Sequence, residues 1–154
     1  MKQYKAPDKY TLGKNEKAIF LAGSIEEGKA EKWQDKLTKM LKDANNLVIL
    51  NPRRDDWDDT WVQEMSNPQF REQVEWELSG QEVSTVIPCY FDPSTKSPIT
   101  LLELGLFNKK MVVCCPRGFY RKGNVDIVCN RYNIPMAKDL DELVKKTLEG
   151  LLKK

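Results

Sequence analysis

Five short apolar runs, each leading into a segment of helical character, constrain this chain more than any other feature. They are AIFLAG (18–23), LVILNP (47–52), TVIPCYF (85–91), MVVCCP (111–116) and IPMAKD (134–139). Each is too short and too evenly apolar to be one face of a helix, and reads as a strand. After the first run, Ser24 is a candidate cap, with Glu26 and Glu27 in a first helical turn. Ala30, Trp33, Leu37, Met40 and Leu41 then mark an inner face that reaches about Lys42. Pro68 opens a helix through Leu78, with Phe70, Val74 and Leu78 as its apolar stripe. Ser97 is a candidate N-cap with Pro98 at the first helical position. Asn124 is a candidate cap for a helix through Arg131, and LDELVKKTLEGLLKK is amphipathic to the end. The segment RRDDWDDTWVQEM (53–65) is charged and aromatic without clear period, and reads as a loop.

Strand and helix alternate five times, which predicts a parallel sheet covered on both faces. Right-handed crossovers leave few topologies. The expectation is a flavodoxin-like or Rossmann-like three-layer sandwich with a five-stranded parallel sheet in the order 2-1-3-4-5. Residues 1–17 read as a polar N-terminal extension and 18–154 as the domain. Pro88, inside the third run, suggests a bulge or a sheet margin. Ligands of such sheets bind beyond the strand C-termini where the strand order reverses, here between the first and third strands. The loops GSIE and DPSTKSP meet there.

Composition narrows the chemistry. A formal net charge of +2 over 154 residues gives no strong basic patch for nucleic acid or an acidic membrane. No apolar run approaches the roughly 18 residues that span a bilayer, and the polar start lacks a signal-peptide core. A soluble cytoplasmic protein is expected. The four cysteines include no CxxC pair and histidine is absent, which argues against zinc. Any general acid or base is therefore a carboxylate, Tyr, Cys or Lys.

One residue stands out against this background. In SPITLLELGLF (97–107) a single charge, Glu103, sits among Leu101, Leu102, Leu104 and Leu106. A lone buried carboxylate is costly unless it is paired or hydrogen-bonded. Either Glu103 lies on an exposed stripe, or it is a carboxylate held at the switch point to act as base or nucleophile.

Four segments, IFLAGSI (19–25), NPRRDDW (51–57), TKSPITLLELGL (95–106) and GNVDIVC (123–129), together resemble the nucleoside 2-deoxyribosyltransferase-like family. The resemblance implies that Glu103 is the nucleophile. It would attack C1′ of a 2′-deoxynucleoside, form a glycosyl ester as the base leaves, and pass the sugar to a second base with net retention. A nearby anion suits the oxocarbenium-like transition state, and no metal or redox cofactor is implied. The implied partners are a small deoxynucleoside and a nucleobase, with no nucleic acid or membrane.

The other candidates are weighed against plain structural roles. Gly23 and Ser24 either line the ligand or form a turn and a cap. Asp56 is a candidate to bond the base and deliver its proton, and Trp57 to stack on it or pack the loop. Arg53 and Arg54 either pair with the neighbouring acids or bind a 5′-phosphate. Asp92 is a second candidate acid, or a turn residue before Pro93. Asn124 resembles an Asn that reaches into a neighbouring subunit's site, which implies a homodimer or higher homo-oligomer. Ser84 stands where the family pattern has Asp. Two alternatives remain open: a hydrolase of deoxynucleoside 5′-monophosphates, and a nucleotide-binding module without turnover.

Overall fold

The apolar runs become strands because β-branched and apolar residues alternate between two covered faces. The computed structural model describes residues 1–26 and 30–153. Its strands are β1 (Lys2–Lys5), β2 (Lys17–Phe20), β3 (Ala22–Gly23), β4 (Leu47–Asn51), β5 (Ile87–Tyr90), β6 (Met111–Cys114) and β7 (Met136–Ala137). Its helices are α1 (Trp33–Met40), α2 (Pro68–Val83), α3 (Pro98–Phe107), α4 (Lys122–Arg131) and α5 (Leu140–Lys153). Every strand pair is parallel. Ile19, Leu21 and Ile49 pack with Trp33, Leu37, Leu143 and Leu151, so α1 and α5 cover one face. Ala18, Phe20 and Leu50 pack with Trp76, Leu104 and Val125, so α2, α3 and α4 cover the other. The α/β architecture with helices on both faces is thus as expected.

The single five-stranded sheet does not form. A three-stranded sheet in the order β1-β4-β2 meets a four-stranded sheet in the order β3-β5-β6-β7. The break falls at Leu21, between β2 and β3. Its N–H turns to Leu50 O at 3.0 Å, toward β4, and a lone pairing of Ile19 with Val86 links the two halves. Pro88 explains part of this. It lies in register opposite Val112 without a bulge, inside the sheet rather than at its margin. Its neighbours Phe91 and Tyr90 show which way the strand points. Phe91 N–H bonds Cys114 O on the β6 side, and Tyr90 O accepts from Ser24 N–H on the β3 side. By alternation Pro88 faces the break, where no N–H is demanded of it.

Several boundaries also differ. The first residues are not a bare polar extension, because Lys2–Lys5 add an edge strand to β4, and Trp76 Nε1 donates to Asp8 O at 2.9 Å. Helix α1 starts at Trp33. Glu26 has a φ of 41°, outside the right-handed α region, and Glu27 lies outside the described residues. Fully buried Trp33 and Leu37 hold the short α1, each worth about 1.5–3 kcal/mol on burial. Helix α2 runs on past Leu78 to Val83, where Ser84 closes it by donating to Gly80 O at 2.7 Å. Asn124 lies inside α4 rather than capping it, because α4 begins at Lys122. All four cysteines are buried free thiols. No described helix is long and apolar enough to cross a membrane.

Candidate active site

Three elements converge beyond the C-terminal ends of β3 and β5. The chain leaves β3 through Gly23, whose φ is 150°. A Cβ there would run into Tyr90 O and come within 2.7 Å of Trp33. Gly23 is therefore required by close protein contact. Ser24 follows, almost fully buried. Its Oγ accepts from Asp92 N–H and from Thr95 Oγ1, both at 2.8 Å, and lies 2.5 Å from Ser97 Oγ. Thr95 and Ser97 hydroxyls are themselves 2.8 Å apart. This three-hydroxyl cluster locks the β5–α3 loop onto β3.

Ser97 is consequently not the helix cap expected from its position. It has a φ of 47°, makes no capping bond, and spends its hydroxyl in the cluster. Glu26 reaches across instead, and its Oε1 accepts from Lys96 N–H and from Ser97 N–H, the latter at 2.7 Å. A carboxylate thus satisfies free donors at the positive end of α3.

Glu103 lies in the second turn of α3, and its neighbours are arranged opposite to simple expectation. The carboxylate points inward, 7% exposed, while Leu102 and Leu106 face solvent at 60% and 59%. Gln81 of α2 supplies the compensating hydrogen bond, with Nε2 donating to Glu103 Oε1 at 2.7 Å. Burial, then the charge of Glu77, pushes the Glu103 carboxyl up to about 8, against a small opposing pull from Gln81. A carboxylate so poorly solvated is a stronger base and nucleophile than a hydrated one.

The stripe of α2 that meets Glu103 was not legible as an inner face. Phe70, Val74 and Leu78 are only half-buried, whereas Gln73 and Gln81 are buried. Gln73 Nε2 donates to Glu77 Oε1 at 2.7 Å and to Pro52 O at 3.1 Å. Burial raises the Glu77 carboxyl to about 7, outweighing the bond from Gln73. The signal that could have found these residues is the four-residue spacing of Gln73, Glu77 and Gln81 opposite a lone acid.

The remaining candidates are placed as follows. Asp92 is buried, which opposes its charge, yet bonds from the Ser94 hydroxyl and N–H and from Glu31 N–H outweigh this and hold it below the usual range. Asp56 is exposed and held ionised by a two-pronged bond from Arg54 at 2.9 and 3.0 Å. Arg54 also lies 5.0 Å over Trp61, and its NH1 is buried without an acceptor among the described residues. Trp57 packs edge-on against Trp61 with ring centres 5.2 Å apart, and its Nε1 likewise finds no acceptor there. Arg53 is committed to structure, with bonds to Ala30 O, Glu31 O and Gln34 Oε1. Asn124 is exposed on α4. Two open depressions of about 380 and 430 Å³ lie beside α4 and β7, lined by residues such as Asn133 and Lys138, away from Glu103. The chemistry of the buried carboxylate outweighs their size as a guide to the site. No group of three or more potential metal ligands occurs among the described residues.

No curated protein matches the chain. Residues 16–119 match the family described as nucleoside 2-deoxyribosyltransferase like. The match spans the β3 exit, the polar stripe of α2 and the whole of α3. The chain with its inward Glu103 belongs to the nucleoside 2-deoxyribosyltransferase like family.

Proposed function

We propose that this protein breaks the N-glycosidic bond of 2′-deoxynucleosides and transfers the deoxyribose between nucleobases through a glycosyl ester on Glu103. The observation that carries this reading is the inward, amide-bonded carboxyl group of Glu103 in the second turn of α3. Glu103 attacks C1′ as the base departs with the electrons of the C–N bond. The second base attacks the same carbon and returns the carboxylate. Two inversions retain the stereochemistry. A poorly solvated anion beside C1′ stabilises the oxocarbenium-like transition state more than one in water would.

In this reading Asp92 and Asp56, both held ionised, orient the base by accepting its N–H groups. Trp57 offers an aromatic face, Gly23 and Ser24 fix the loop under the sugar, and Arg54 faces an acceptor of the substrate. Asn124 completes the site of a neighbouring subunit. Its exposure, and the outward stripe of Ile99, Leu102 and Leu106 on the helix that bears Glu103, support a homo-oligomer. A second reading, hydrolysis of deoxynucleoside 5′-monophosphates with water as acceptor, draws support from Arg54 NH1, which has no acceptor among the described residues.

A base-exchange assay separates these readings. The protein is incubated with thymidine and adenine, and in parallel with deoxynucleoside monophosphates alone. Deoxyadenosine formed only with acceptor is the expected result. Free base from the monophosphate alone would replace transfer by hydrolysis. Tight substrate binding with no product in either tube would overturn both in favour of a binding module.

A further inference from the structure

Buried polar atoms without a partner gather where β4 ends. The Arg54 side chain is only 7% exposed. Asp56 takes its Nε and NH2, at 2.9 and 3.0 Å, and NH1 is left buried with no acceptor among the described residues. On α2, Gln73 Oε1 is buried and accepts nothing there either. The Gln73 amide has a fixed orientation, because its Nε2 donates to Pro52 O at 3.1 Å and a carbonyl takes only a donor. The two side chains lie close together. Pro52 precedes Arg54 by two positions, and the guanidinium feels the charge of Glu72, the residue before Gln73. Gln34 and Asn51 also leave an amide nitrogen unpaired, but Asn51 falls on the α1 side of β4 with Ile49. An unmet buried donor and an unmet buried acceptor are each costly. A ligand that brings one of each relieves both.

Gln73 shares a face of α2 with Gln81, whose Nε2 holds Glu103 at 2.7 Å. Eight positions along a helix are about 12 Å, so a sugar at Glu103 leaves room for its base toward Gln73 and Arg54. We propose that Arg54 NH1 and Gln73 Oε1 read the O4 and N3 edge of a pyrimidine and select uracil and thymine over cytosine. This rests on the reading of the protein as a deoxyribosyl transferase and adds which pyrimidines it takes. Uracil and thymine carry the O4 carbonyl beside an N3–H, one acceptor next to one donor. Arg54 NH1 donates to the first and Gln73 Oε1 accepts from the second. Cytosine has the same shape and the opposite pattern. Its amino group would meet the guanidinium and its N3 lone pair the Gln73 carbonyl, so both protein atoms stay unmet. Asp56 fixes the guanidinium plane through two bonds and so aims NH1. The base has a way in. Among the described residues, the hydrogen bonds from residues 54–62 to other elements reduce to the exposed Lys5–Asp55 pair, and such a pair holds weakly. The loop can lift without breaking the core.

The test measures binding in Glu103→Gln, which removes the nucleophile, by isothermal titration with 2′-deoxyuridine and with 2′-deoxycytidine. Deoxyuridine should bind about tenfold or more tighter. Adding Gln73→Met or Arg54→Met should bring the two nucleosides within about threefold of each other, mainly by weakening deoxyuridine. Equal or absent binding of the two, tighter binding of deoxycytidine, or a preference untouched by both added substitutions would overturn the inference. The comparison of the two nucleosides decides the matter by itself if an added substitution prevents folding. The transfer reading fails separately. Base exchange by the wild-type protein without this preference would sink the base readers and leave transfer standing. The preference in binding, with no exchange of any base by the wild-type protein, would sink transfer and leave the base readers standing.

Discussion

Replacing Glu103 by Gln should make the protein more stable in alkaline solution while it abolishes transfer. The ordinary value for this carboxyl is 4.5, and burial lifts it to about 8 in the folded protein. Each tenfold change in proton affinity corresponds to about 1.4 kcal/mol, so ionising the buried group costs at most about 5 kcal/mol. Part of that belongs to the Glu77–Glu103 pair, which leaves about 2–4 kcal/mol for the substitution to recover. The sign follows from the direction in which burial moves the group. A group raised in the folded state contributes its full stability below its unfolded value near 4.5 and loses it as pH rises through about 8. The carboxamide has no such dependence. Urea unfolding of the two proteins should therefore nearly coincide at pH 5. It should separate by about 2–4 kcal/mol in favour of Glu103→Gln at pH 9, or some 5–15 °C in Tm. A difference that is flat across this range, or a variant less stable at pH 9, would refute the claim that Glu103 is held in a poorly solvated seam.

Other substitutions probe the scaffold and the assembly. Gly23→Ala should destabilise by about 2 kcal/mol or more, read from the urea midpoint, because its methyl group meets Trp33 and the Tyr90 carbonyl. Ser24→Ala should cost about 1–3 kcal/mol, since it strips Asp92 N–H of a buried acceptor. Leu102→Lys, placed on the outward stripe of α3, should shift gel-filtration mass toward the monomer and lower activity in proportion, with the monomer fold intact by circular dichroism. Asn124→Ala should reduce kcat/KM by about tenfold or more with a change in stability under about 0.5 kcal/mol. Unchanged kinetics would leave Asn124 as an ordinary exposed helix residue.

What the sequence made legible was what period and burial control. The apolar runs became strands because nothing else buries MVVC or LVIL on both faces, and α5 follows its apolar stripe from Leu140 to Leu151. What escaped depended on partners distant in sequence. Lys2–Lys5 is an edge strand of polar residues, held by pairing to β4 rather than by its own pattern. Ser97 reads as a cap until Ser24 and Thr95 are brought beside it. The polar inner face of α2 could not be told from a solvated one without knowing that Glu103 lies opposite. Glu103 itself was legible as an anomaly, and its Gln81 partner was not. Asp92 and Asp56 were legible as candidate acids, but the hold on their charge depends on Ser94 and Arg54 beside them.

If the sugar passes through Glu103, a glycosyl ester can be trapped on its carboxyl group. The protein is mixed with a 2′-deoxynucleoside without acceptor, quenched in acid, digested, and its peptides weighed. One deoxyribosyl group is expected on the peptide that carries Glu103, lost again when free base is added before the quench. Base exchange with the sugar attached to another residue, or undiminished exchange by Glu103→Ala, would contradict it.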